Sequence, residues 1–185
     1  MSKNKLMMLF FVVSESFFFI ALILSYLYYR RPNGNLSETA QYLNVQKTSV
    51  FTFFLLSSSL TIEIADKKLL KGKRRSMLIW LGISILFGMI FLVGQGIEYI
   101  DLIREKVTIS KNVFGSAFFT LTGFHGFHVL IGMVALTIMG SLISSKKYKA
   151  VEYDAFNTTT VYWHFVDAVW VVVFITVYLG SYIMN

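Results

Sequence analysis

The sequence predicts an all-α integral membrane protein, a bundle of five transmembrane helices, and three observations carry that expectation. Of its 185 residues 56% are hydrophobic and only 15% charged, well outside the balance of a soluble domain. The apolar residues gather into five long runs, and the basic residues lie between those runs rather than in them. Bilayer hydrocarbon is about 30 Å thick and takes roughly 20 residues of helix at about 1.5 Å each. Lipid offers an open amide no partner, so each run must be helical.

The first run, 6–29, follows Lys3 and Lys5 and ends in Tyr26, Tyr28 and Tyr29. It is as long as a span and has no small-residue cleavage site, so a retained helix is expected rather than a removed signal peptide. The second, 48–65, is the shortest; the third, fourth and fifth cover 77–103, 113–144 and 158–184. The connection 30–47 holds the sole proline, Pro32, and Gly34, and 66–76 is dense in Lys and Arg. Neither a soluble domain nor an internal repeat stands out, which counts against a transporter built on inverted repeats.

The net charge is +7. Counted on alternate sides of the membrane, 11 Lys and Arg flank one face, including six in 67–75, and 6 flank the other. By the positive-inside rule the N-terminus is expected in the cytoplasm and the C-terminus outside. The charge thus reports orientation, and no nucleic-acid partner is implied. The run ending in Arg74 and Arg75 reads as a solvated loop that can also hold anionic lipid headgroups. Zero cysteines remove disulfides, thiolate metal sites and thiol nucleophiles, leaving His, Asp, Glu, Ser and Tyr for any chemistry.

Ionisable groups at membrane depth are costly, tend to be paired, and mark function. Glu15 lies about ten residues, or about 14 Å, into the first helix. There it should be protonated or held by a donor on another helix; a packing carboxyl, a proton-handling group and a substrate site all remain open. His125 and His128, at i, i+3 spacing, share a face of the fourth helix. A metal site there would need His164, Glu15 or Glu98 to complete it. Hydrogen bonding to another helix is the stronger expectation, because Gly123, Gly126 and Gly132 let a neighbour approach. The first and fourth helices run in opposite senses, so Glu15 is expected to meet one of the two imidazoles. His164 and Asp167 form a second i, i+3 pair. Tyr162, Trp163 and Trp170 beside them suggest an interfacial belt and contact with lipid or a partner subunit. Glu63 is expected to pair with Lys67, and Glu98 and Asp101 to lie near the external end of the third helix.

Two stretches, FGSAFFTLTGFHGFHVLIG from Phe114 to Gly132 and YWHFVDAVW from Tyr162 to Trp170, resemble the signatures of subunit III of the haem-copper cytochrome c and quinol oxidases. Ser14–Glu15 in an aromatic first helix and Gln95 before Glu98–Tyr99 match further features of that family in the right order. The resemblance runs from about residue 10 to 182. It implies an accessory chain without redox centres, packed against oxidase subunit I with subunit II and further small subunits nearby. The haems and copper belong to those partners. The family's third subunit supports proton uptake, protects subunit I during turnover and holds phospholipid in a cleft. Under the resemblance Glu15 is the family's buried carboxyl, and His125, His128, His164 and Glu98 its recurrent intramembrane polar residues. Seven-helix members carry two more N-terminal helices that wall the lipid cleft. The five-helix form points to a bacterial cytoplasmic membrane. A nitric oxide reductase-associated relative of subunit III and a small proton-coupled transporter are the competing readings.

Overall fold

In a computed structural model the described residues are 3–29, 43–109, 113–145 and 151–180. They form α1 (Lys3–Tyr29), α2 (Val45–Leu70), α3 (Arg74–Arg104), α4 (Val113–Ser144) and α5 (Val151–Phe174). A single π-helical turn, Ile175–Leu179, continues α5. Each of the five helices is long and apolar enough to cross a membrane, and among the described residues there is no strand.

The helix ends follow from local chemistry. Asn44 caps α2, its side-chain oxygen accepting from the Lys47 N–H at 3.0 Å. At the other end, Gly72 takes φ +67°. The N–H groups of Gly72 and Lys73 reach back to the carbonyls of Leu69 and Lys68, both at 2.9 Å. This is a Schellman closure, and it turns the chain directly into α3. The same pair of bonds ends α3, from Lys106 to Ile103 and from Val107 to Leu102. Here Lys106 holds the left-handed position at φ 59°, and the closure is sealed by burial of Val107 and Leu102. Helices α2 and α5 run further than the apolar runs suggested, because charged and polar residues such as Asp66, Lys67, Tyr153 and Asp154 continue the backbone ladder past the apolar stretch.

The hairpin α2–α3 is the closest pairing in the bundle, and α5 packs against α1, α2 and α4, with α4 also contacting α1 and α3. Only 6% of the apolar window of α1 is buried within the chain, against 50% for α5. Helix α1 is therefore peripheral and α5 central. The side chains left outside include Met7, Phe10, Phe17, Phe53, Leu60 and Phe127, the surface that a hydrocarbon solvent requires.

At the centre Trp163 of α5 is held between two glycines. A Cβ on Gly88 of α3 would stand 2.9 Å from its ring, and one on Gly132 of α4 only 2.8 Å. Both helices thus reach the indole with bare backbone, the close approach that small residues permit in a membrane.

Candidate functional site: polar contacts between the helices

The carboxyl of Glu15 on α1 meets His128 on α4, with Oε2 3.1 Å from Nε2. The other ring nitrogen, Nδ1, is 2.7 Å from the Phe124 carbonyl one turn back. A carbonyl only accepts, so Nδ1 carries a proton. Nε2 then either accepts from a neutral Glu15 or, protonated, donates to its carboxylate. Both forms have zero net charge, which is the condition for keeping the pair in a low-dielectric setting. The Tyr162 hydroxyl donates to the His128 carbonyl at 3.1 Å and ties α5 to the same point.

His125 behaves differently although it shares the sequence motif. It is fully buried, and neither ring nitrogen has a hydrogen-bond partner. Its ring instead lies against Trp170 at a centroid distance of 4.7 Å and meets the edge of Phe91 at 5.8 Å. The expectation of an interhelical hydrogen bond therefore holds for His128 and fails for His125. Three residues of helix turn through about 300°, and that difference takes the second ring away from Glu15 and into the aromatic core. Nearby, Gln95 of α3 reaches over Gly126 of α4 and donates to the Thr122 carbonyl at 2.7 Å. Tyr99 and Thr122 share a hydroxyl contact of 2.7 Å.

A second group lies between α2 and α5. Glu63 pairs with Lys67 at 3.1 Å, and its other oxygen is 3.8 Å from Nε2 of His164. His164 and Asp167 are joined through a residue of the other helix, Ser59, whose hydroxyl lies 3.0 Å from His164 Nδ1 and also hydrogen-bonds Asp167 Oδ2. One turn nearer the helix end, Asp66 is buried and accepts from the Tyr153 hydroxyl at 3.3 Å.

The third group closes the opposite end of the same seam. Glu98 accepts from the Thr48 hydroxyl at 3.1 Å and from the Tyr178 hydroxyl at 2.8 Å, while Asp101 faces Lys47 at 3.5 Å. Glu98 is thus a junction of α2, α3 and the π turn.

The aromatic residues assigned to lipid or partner contact need correction. Tyr162, Trp163 and Trp170 are 5%, 1% and 1% exposed, so they are core residues of the bundle and form no outward belt. Trp163 donates to Ser58 Oγ and Trp170 to Thr52 Oγ1, both at 2.9 Å, which explains how two indoles are buried without losing their N–H bonds. Arg74 donates to the Ser145 carbonyl at 2.8 Å, joining the ends of α3 and α4, and Arg75 is exposed. The hydroxyls of Ser58, Ser59, Thr52 and Thr48, the Tyr178 phenol and the buried Asp66 escaped the sequence reading. Their one available signal is the alignment of α2 hydroxyls with the indoles and acids of a motif-bearing α5. Among the described residues no three His, Asp or Glu side chains converge as a metal-ligand set.

The family model for cytochrome c oxidase subunit III matches residues 2–182. A cytochrome c oxidase subunit 3 of Corynebacterium diphtheriae is 39% identical over 175 residues, covering 91% of this chain and 83% of the relative. One of Thermostichus vulcanus is 33% identical, covering 93% and 85%. One of Emericella nidulans is 34% identical and longer, with 93% of this chain covering 65% of it. With a family match along nearly its whole length and five spans that the same motifs lace together, the chain belongs to the cytochrome c oxidase subunit III family.

Proposed function

We propose that the chain is the third subunit of a terminal haem-copper oxidase of an aerobic respiratory chain, seated in a bacterial cytoplasmic membrane with its N-terminus inside. The observation that carries this reading is the family match over residues 2–182. In it the chain works as part of a proton-translocating oxidoreductase, beside subunits I and II, which hold the haems and copper and reduce dioxygen to water. Its own contribution is to stabilise subunit I and to support proton uptake.

The geometry supports a non-redox role. Most of the intramembrane acids and imidazoles join helices: Glu15 to His128, Ser59 to Asp167, and Glu98 to Thr48 and Tyr178; His125 packs in the aromatic core instead. Phospholipid is the expected neighbour of the exposed apolar faces. An open groove of about 370 Å³ between α1 and α5, lined by Met7, Met8, Phe11, Ala155 and Thr158, is suited to an acyl chain.

Isolation in mild detergent through a tag on this chain tests the reading. A haem-copper catalytic chain that consumes dioxygen should co-purify, with its haem spectrum. Recovery with a nitric oxide-reducing complex, or recovery of the chain alone with proton flux in liposomes, would overturn it.

A further inference from the structure

Between α2 and α5 a string of polar groups leads from the helix end into the membrane-spanning region. Lys67, Glu63 and His164 are 64%, 47% and 39% exposed, whereas Asp167 is 3% exposed. Ionisable side chains at this depth ordinarily face the interior of a bundle or a polar cavity. Here exposed members connect to a buried carboxyl through one hydroxyl. Asp167 Oδ2 bonds Ser59, and its other oxygen is buried without a partner. An acceptor oxygen left open in that way is satisfied neither as packing nor as a closed ion pair.

The Ser59 hydroxyl has one proton and touches two groups. If it donates to Asp167, it must accept from His164, which then carries its proton on Nδ1. If Asp167 is neutral and donates to Ser59, the hydroxyl donates to an Nδ1 lone pair. The second arrangement holds one proton more than the first: the extra proton enters at His164 Nε2, the Nδ1 proton passes to Ser59, and the Ser59 proton passes to Asp167. We infer that Asp167 is a proton store, loaded and unloaded through Ser59 and His164 from the exposed carboxyl of Glu63. This rests on the oxidase reading and locates one place where the chain handles a proton.

The transfer balances with one proton from water as its only input. Glu63, exposed beside Lys67, first takes that proton at the helix end and leaves its ion pair, then gives up the carboxyl proton as His164 Nε2 gains one. The Nδ1–H bond breaks as Ser59 Oγ takes that proton, and the Ser59 O–H bond breaks as Asp167 Oδ2 is protonated. Glu63 ends ionised and Asp167 neutral. The 3.8 Å between Nε2 and Glu63 exceeds a direct hydrogen bond, so that step takes a side-chain rotation or one bridging water. After loading, the imidazole proton sits on Nε2, and the reverse transfer restores every group. Continuous conduction would require the ring to turn over between protons, so the arrangement suits a store rather than a channel. Charged and titratable groups at this end of the seam are Glu63, Asp66 and Lys67 on α2, Tyr153, His164 and Asp167 on α5 and, near Asp66, Lys5 on α1; Lys47, Glu98, Asp101 and Tyr178 lie at its far end. The helices packed on α5 add Glu15 with His128, closed on each other, and His125, whose ring lies on Trp170.

Infrared difference spectroscopy of the intact detergent-purified complex, taken through a pH titration and a transfer into heavy water, tests the store. A carboxylic-acid band should grow on acidification, shift in heavy water and vanish in Asp167→Asn. Its deuterium exchange should slow by about 10-fold or more in Ser59→Ala and in His164→Phe. Absence of such a band, or exchange unchanged in Ser59→Ala, would overturn the inference. Ser59→Ala is a small change that keeps the helices intact, so the second criterion survives if Asp167→Asn fails to fold. The two readings fail separately: an oxygen-consuming complex without the band removes the store alone, and a titrating band in a preparation that consumes no dioxygen removes the oxidase reading alone.

Discussion

Replacing Gly132 by alanine measures how firmly Trp163 is fixed. The new Cβ would stand 2.8 Å from Cε3 and 2.9 Å from Cζ3 of the indole, and 3.3 Å from Cε1 of Tyr162. Carbon atoms pack at about 3.5–4.0 Å, so the ring or the helix must give by about 0.7 Å or more. The ring cannot simply slide. Its far edge lies against the α3 backbone at Gly88, and its N–H is bonded to Ser58 at 2.9 Å. Overpacking of this kind costs about 1–3 kcal/mol, and the better helix propensity of alanine returns about 1, leaving a net loss of up to about 2 kcal/mol. Gly82 of α3 is the control, since nothing lies within 4 Å of a Cβ there; its alanine variant should be neutral or up to about 1 kcal/mol more stable. Unfolding by a graded detergent titration, followed by tryptophan emission, reads both. Equal midpoints for the two variants would refute the two-sided clamp.

Glu15→Gln should leave assembly intact, with a loss below about 1 kcal/mol, yet move the nitrogen resonances of His128; an unmoved His128 would separate the two residues. Glu15→Ala should likewise assemble and lose sustained turnover, and unchanged turnover would leave Glu15 as packing. His125→Phe should be neutral or stabilising by up to about 1 kcal/mol, because it removes two unpartnered ring nitrogens from an aromatic cage, whereas His128→Phe should destabilise by about 1–3 kcal/mol by stranding Glu15; detergent-unfolding midpoints in the reverse order would sink the distinction. Tyr178→Phe should weaken only the far end of the α2–α5 seam, seen as faster amide exchange around Thr48 and Glu98.

The spans were legible because hydropathy and length act on a whole helix at once, and 113–144 coincides with α4. The ends of α2 and α5 were not. Charges such as Lys67 and Asp154 signal where lipid stops, while the backbone ladder runs on until a residue like Gly72 turns it. Glu15 was placed by depth alone, since opposite helix senses bring it level with the two histidines. Which histidine it meets depends on the rotation of α4 about its axis, fixed by Trp163 against Gly132 and visible only in three dimensions. Trp163 and Trp170 looked interfacial because tryptophan is common at membrane surfaces; serine and threonine on α2 satisfy their N–H groups and allow full burial. Ser59 could not be singled out by its own sequence context, being one of three consecutive serines whose direction is set by the partner helix.

The wide turn at Ile175–Leu179 accommodates one residue more than ordinary winding, so its later residues are set back around the axis by up to about 100°. The Tyr178 phenol finds Glu98 in that altered phase. Deleting a single residue from this turn would let the helix relax to regular pitch and swing the phenol off its acceptor without disturbing any apolar pattern. The last stretch of the fifth helix is thus sensitive to length as well as to composition, and an indel that a connecting loop would absorb becomes there an error of angle.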